Sequence, residues 1–279
     1  MSYRSILVHL DNGEHSAPRL DVALRIAKQF GAQITGLHAI FTPDPRAFFV
    51  MAGTAEYYSE HLRAREERRD AVQRLFYAEC LRAKVTGHFL TASEHGNRAV
   101  AQYARLADLA IAGQSDPNDP ESYIDDHFAE HLVMTAGRPV LLVPYAGVFP
   151  SIGSRILIAW NGGREAARAA FDAVPFLTHA KQNTVVTVHG AADELPGDRI
   201  PGADIALTLA RHDAVVDVLE LEAPTGARAG DALLSCAHDR GCDLLVMGAY
   251  GHARWQEAVM GGVTRTVLRS MTMPVLMST

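Results

Sequence analysis

The feature that most constrains the fold is a repeated strand-and-helix unit along 279 residues. Ser5-Ile6-Leu7-Val8-His9-Leu10-Asp11-Asn12-Gly13-Glu14 is matched 150 residues later by Arg155-Ile156-Leu157-Ile158-Ala159-Trp160-Asn161-Gly162-Gly163-Arg164. Each is an apolar strand that ends in a polar turn and runs into an Ala-rich helix. Asp108–Gly113 is matched by Asp243–Gly248 at an offset of 135, and Arg138–Val143 by Thr272–Met277, around a proline, at the same offset. A unit written twice is expected to fold twice. The stretch Ala146–Ser154 has the Gly/Pro/Ser character of a boundary, which divides the chain into domains 1–146 and 154–279.

Within each copy, short β-branched runs alternate with helical patterns. In the second copy the strands are Arg155–Trp160, Thr184–His189, Val215–Leu221, Asp243–Met247 and Pro274–Met277. Helices are expected over Arg164–His179, Gly202–Arg211, Ala229–Arg240 and Gly262–Ser270. This alternation, with nearly continuous apolar strands, predicts an α/β fold: a parallel sheet covered on both faces. The first copy carries an insertion after its second strand with a charged helix, about Ala55 to Lys84, read as a solvated helix laced with i,i+4 pairs.

Composition narrows the function. The chain is 48% apolar and 21% charged, enough to bury a full core. A net charge of -6 argues against a general nucleic-acid binder. No apolar stretch approaches the ~20 residues that span a bilayer, so no membrane partner is expected. Met1–Ser5 leads directly into a strand, with no signal peptide in view. Cys80, Cys236 and Cys242 form no C-x-x-C and read as reduced, cytoplasmic thiols.

The chemistry concentrates in one loop. Gly248-Ala249-Tyr250-Gly251 is followed, nine residues on, by Gly261-Gly262. The apolar run Asp243–Met247 precedes it and the helical pattern Val263–Arg269 follows. Glycines let backbone approach a ligand, and the N–H groups of Gly261–Val263 form an anion nest at a helix start. In the first copy, Asp116 stands for Gly251, Asp126 for Gly261 and His127 for Gly262, with Asp125 beside them. Carboxylates there repel a phosphate, so this half is not expected to hold a phosphate through its loop, although Asp11 is retained. A metal site of Asp116, Asp125, Asp126 and His127 is the alternative; its spacing lacks the pattern of a hard-cation site, and no metal ligand is assigned.

On these residues the chain resembles the universal stress protein family in its tandem form. The family signature, Gly-x2-Gly-x9-Gly-Ser/Thr after the fourth strand, is met by Gly248, Gly251 and Gly261, with Gly262 in the Ser/Thr place. Asp11 or Asn161 ending strand one, Gly230-Asp231, and the Pro-Val-Leu of the last strand also fit. The resemblance spans the whole chain and is weaker in the first half. It implies two tandem doubly wound domains, each a five-stranded parallel sheet in the order 3-2-1-4-5 with helices on both faces. It also implies ATP, with or without Mg2+, bound where strands one and four diverge. Gly248, Gly251, Gly261 and Gly262 would surround ribose and phosphates, Asn161 would face the nucleotide, and Val188 would offer backbone groups to the adenine. Outside the family positions, His252, Arg254 and Arg265 lie where they add positive charge; His252 is included in the site with Val263. Gly262 forgoes a hydroxyl hydrogen bond, ~0.5–1.5 kcal/mol. Asn161 lacks the charge that helps hold a divalent cation.

No nucleophile elbow, zinc-protease motif or P-loop occurs, and no catalytic residue is assigned. His9, His38 and His189 lie on or at strand ends as packing or capping residues. The expected function is a cytoplasmic stress-response protein that senses or stores an adenine nucleotide. Its halves would pack as a pseudo-dimer along Val140–Val143 and Pro274–Met277, and the whole chain would form a homodimer. Two alternatives stay open: a slow ATP hydrolase or nucleotidyl transferase using His252 or Glu257 as base, and a nucleotide-free interaction module.

Overall fold

The structure, a computed structural model, describes residues 2–40, 55–92, 96–119, 122–125, 127–189, 200–222, 228–250 and 262–279. The chain forms two compact units, one of Tyr3–Leu132 and one of Val133–Thr279 together with Ser2.

The first half runs β1 (Ser5–Leu10), α1 (Ser16–Phe30), β2 (Gln33–His38), α2 (Ala55–Ala83), β3 (Gly87–Thr91), α3 (Gly96–Ala104), β4 (Leu109–Gly113), α4 (Phe128–Thr135) and β5 (Val140–Val143). Ile6 of β1 stands opposite Ile34 of β2 on one side and Leu109 of β4 on the other, all parallel. Ile6, Leu7 and Val8 are each no more than 2% exposed, the burial expected of a central strand covered on both faces. Helix α1 turns Leu20, Ala23, Leu24, Ala27 and Phe30 inward at helical spacing. It ends on Gly31 at φ +64°, a left-handed cap whose N–H reaches the Ala27 and Lys28 carbonyls.

The second half runs β6 (Arg155–Ala159), α5 (Arg164–Asp172), α6 (Val174–Leu177), β7 (Gln182–His189), α7 (Ala203–Ala210), β8 (Val216–Glu222), α8 (Ala229–Asp239), β9 (Leu244–Gly248), α9 (Gly262–Ser270) and β10 (Val275–Ser278). In both halves the strand order is 3-2-1-4-5, as the family resemblance implied. Strand β10 pairs parallel with β9 and antiparallel with β5, setting Leu276 opposite Leu141.

Two expectations need correction. The single helix over Arg164–His179 is two, broken at Ala173. Pro175 lacks an N–H and its ring collides with the preceding turn, so the chain restarts as α6 with proline in its first turn. The charged helix α2 is exposed along most of its described side chains, but it is also anchored. Phe76 is 0% and Cys80 4% exposed, one helical turn apart. Phe76 fills the space above Gly36 of β2, where a Cβ would come within 2.6 Å of its ring, and Cys80 does the same above Gly87. On its described part, Arg69 pairs with its neighbour Asp70 and Arg82 with Glu79 at i,i+3.

Candidate functional site

In the second half, β6 and β9 lie side by side, and the strand that follows β6 in the chain, β7, lies on the opposite side from the strand that follows β9, β10. That divergence is where ligands enter doubly wound sheets. Asn161 follows the end of β6 and is exposed. Its Oδ1 accepts the Gly163 N–H at 2.9 Å, which shapes the turn into α5, and Gly162 takes φ +72°.

Val188 sits half-buried near the end of β7. The ladder from β6 reaches only as far as Val186, whose carbonyl accepts the Trp160 N–H at 2.8 Å. Two residues on, by the strand period, the N–H and C=O of Val188 point to the same side, past the end of β6.

Gly248 is the last residue of β9, and its glycine identity has a packing cause. A Cβ there would come within 2.5 Å of the Glu165 carbonyl carbon and closer still to the Ala166 nitrogen, in the first turn of α5. Gly230 serves α8 in the same way: a Cβ would meet Thr266 of α9 at 2.8 Å. Beyond Gly248, the Ala249 N–H binds the Ser278 carbonyl at 2.9 Å, and Tyr250 adopts φ +63°. A left-handed tyrosine costs on the order of 1 kcal/mol and marks a constrained loop start.

Gly262 is different. It is exposed, its φ is not left-handed, and a Cβ would meet nothing within 4 Å. It opens α9, whose first turn carries no acidic residue, so no carboxylate of that turn sits against the N–H groups of Gly262 and half-buried Val263. Arg265 is exposed one turn away. Gly251, His252, Arg254, Glu257 and Gly261 lie outside the described residues.

Among the described residues, several equivalent positions of the first half are occupied by the chain itself. Asp11, the counterpart of Asn161, is 2% exposed. Its Oδ2 takes Nη2 of Arg19 at 2.5 Å and its Oδ1 the Gly13 N–H at 2.9 Å. By strand register Ala39 is the counterpart of Val188, and both its backbone groups are used: the N–H by the Leu10 carbonyl at 3.0 Å, the C=O by His9 Nε2 at 2.8 Å. The loop after β4 folds onto the turn after β1, with Asp119 and Ser122 packed where a Gly13 Cβ would be. His15 Nε2 binds Asp116 Oδ2 at 2.9 Å. Asn118 and His15 hold the Asp116 carboxyl below its ordinary value, the Asn118 amide most strongly. Helix α4 carries Glu130 in its first turn, and His127 lies 3.7 Å from it.

The residues weighed as an alternative metal set therefore go to separate partners: Asp116 to His15, Asp125 to Asn97 at 2.5 Å, His127 to Glu130. Asp126 lies outside the described residues. Among the described residues, a three-ligand group that does converge, Glu14, His15 and Asp116, was not foreseen. Glu165 was also missed. It is 6% exposed, joined to Arg164 Nε at 2.5 Å, and lies beside Gly163. Its only signal was a carboxylate in the turn after β6, where the first copy has His15. His9 and His38 are buried packing residues, at 2% and 3% exposure, and His189 is half-buried at the end of β7. Among the described residues no helix is long and apolar enough to cross a membrane.

Comparison with known proteins agrees with the duplicated fold. The model of the Universal stress protein family matches residues 2–144 and again 154–278. A universal stress protein of Synechocystis is 43% identical over 58 residues, which is 21% of this chain and only 20% of that protein. The crystal structure of a universal stress protein from Archaeoglobus fulgidus superposes with a TM-score of 0.70 at 16% identity, covering 98% of this chain and 95% of that one. A putative universal stress protein from Pseudomonas aeruginosa superposes at 0.57 with 18% identity, covering 99% and 93%. At these identities the superpositions speak for the fold alone. The family match, made once in each half, is the stronger finding, and by it the chain belongs to the universal stress protein family.

Proposed function

We propose that the protein binds an adenine nucleotide, ATP in the first instance, in its C-terminal half, and that it acts as a cytoplasmic sensor or switch rather than as an enzyme. The observation that carries this reading is the contrast between the halves. Among the described residues, Asn161 is exposed, Val188 half-buried and Gly262 exposed, where Asp11, Ala39 and Asp116 of the first half are engaged by Arg19, His9 and His15. Asn161 would face the ribose or phosphates, the backbone of Val188 the adenine edge, and the N–H groups of Gly262 and Val263 a phosphate. Gly251, His252 and Gly261 would complete the loop, and Gly248 would place it by its close packing on α5. Mg2+ would be a companion of the phosphates, since the strand-end carboxylate is an amide here. The halves, 1–146 and 154–279, would pack as a pseudo-dimer, a reading that the antiparallel pair β5–β10 supports, and two chains would form a homodimer.

The test is Gly262→Asp. A Cβ there meets nothing, so the fold should hold, with the melting temperature within a degree or two of wild type. A carboxylate at the helix start should weaken ATP by more than tenfold, a loss of at least ~1.4 kcal/mol. Unchanged affinity in a folded variant would rule the site out.

A further inference from the structure

The cation at the N-terminal switch point belongs to the chain itself. Arg19, on α1, is 4% exposed and sends Nη2 to Asp11 Oδ2 at 2.5 Å. Its Nε donates to the His9 carbonyl at 2.8 Å. The guanidinium reaches the end of β4 through Nη1: a Cβ on Gly113 would overlap Nη1 and stand 3.2 Å from Cζ. A carboxylate oxygen, a carbonyl oxygen and a bare strand end thus bound a slot that fits a planar, forked cation. Asp11 keeps its other oxygen on the Gly13 N–H, so the slot's acceptor is held in place from behind.

The second half lacks both members of the pair. At the same offset Asp11 becomes Asn161 and Arg19 becomes Ala169, which is fully buried, while Gly113 has its counterpart in Gly248. A carboxylate sealed at 2% exposure needs a cation beside it, and the half without the cation also lacks the carboxylate. The duplicated switch point has therefore taken two chemical forms, one neutral and open, one acidic and occupied.

We infer that the N-terminal switch point is a guanidinium-recognising site filled in cis by Arg19, which a free alkylguanidinium will enter once that side chain is shortened. Asp11 and the His9 carbonyl are the recognising groups, and Gly113, lacking a side chain, leaves room for Nη1. The inference is independent of nucleotide binding in the other half.

The experiment uses the full chain, with thermal unfolding and calorimetric titration in millimolar ethylguanidinium chloride, against ethylammonium and potassium chloride at equal ionic strength. Wild type should not respond. Arg19→Ala should melt lower, bind one ethylguanidinium per chain and regain roughly 5 °C near saturation, with little response to the control salts. Asp11→Asn/Arg19→Ala, which copies the second half, should melt above the single variant and show no ethylguanidinium response. An Arg19→Ala chain that ignores ethylguanidinium, or a double variant that responds equally, would overturn the inference. If Arg19→Ala does not fold, Arg19→Lys decides it. Lysine keeps the charge but lacks the fork, so a melting temperature equal to wild type would contradict guanidinium recognition, and a clear fall rescued by Asp11→Asn would support it.

Discussion

Lowering the pH from 7 to 4 will loosen the N-terminal half of this chain well before the C-terminal half. His9 and His38 are buried, and burial is the main cause that pushes each down to a pKa of about 4 from an ordinary 6.5. His9 also faces Arg19 and His38, which lower it further, and Asp11 and the Ala39 carbonyl, which oppose the shift. His38 faces Asp11, which raises it, and Arg69 and Arg65, which lower it, while its Nε2 lies 3.0 Å from Asn12 Oδ1. Because the folded values lie below the unfolded ones, the unfolded chain binds more protons between pH 6.5 and 4. The stability linked to both groups is intact above pH 6.5, falls as the pH drops toward 4, and is fully lost below it. Each shift corresponds to at most about 3 kcal/mol, so together they rival the whole stability of a small domain. The register counterparts in the second half are Ala159 and Thr187, which do not titrate. Hydrogen exchange followed against pH should therefore show β1 and β2 amides losing protection near pH 5 while β6 and β7 hold. Equal losses in both halves, or an unchanged profile in a His9→Gln/His38→Gln chain, would contradict the assignment.

Gly248→Ala should cost about 3 kcal/mol and more than tenfold in ATP affinity. The added methyl would sit within 2.5 Å of the backbone of Glu165 and Ala166. Backbone in the first turn of a helix cannot turn aside as a side chain can, so α5 or β9 must shift. Either movement displaces the Asn161–Gly163 turn, which leads into α5, or the loop that begins at Ala249. The melting temperature and an ATP titration of the same sample check both parts. A variant with wild-type stability would mean that the close approach of α5 to β9 is not as found. The pairing with Gly262→Asp is informative: one should harm fold and binding together, the other binding alone.

The duplicated α/β architecture was legible because buried parallel strands leave continuous apolar runs, such as Ile6-Leu7-Val8 and Leu244-Leu245-Val246, that recur at fixed offsets. The break at Ala173 was signalled by Pro175 but masked by the alanines around it. The anchoring of α2 was not legible, since Phe76 and Cys80 are two apolar residues on a long charged helix and their sockets, Gly36 and Gly87, lie on other strands. At the site, the glycine spacing identified the loop but not what each glycine is for. Gly248 and Gly230 admit neighbouring backbone and side chains, whereas no described residue lies within 4 Å of a Cβ at Gly262. The loop carboxylates of the first half were legible, but the buried pair of Asp11 with Arg19 was not. An arginine eight residues from its aspartate, across a turn, looks in sequence like any exposed helical arginine, and only the fold brings the two together.

The central claim is that one half of this duplicated chain is an open nucleotide site and the other is closed from within. Isothermal titration of nucleotide-stripped protein with ATP, with and without magnesium, tests it most directly. The account predicts one ATP per chain, lost in Gly262→Asp and retained in His15→Ala, which disturbs only the closed half. Two ATP per chain, or none under either condition, would contradict it.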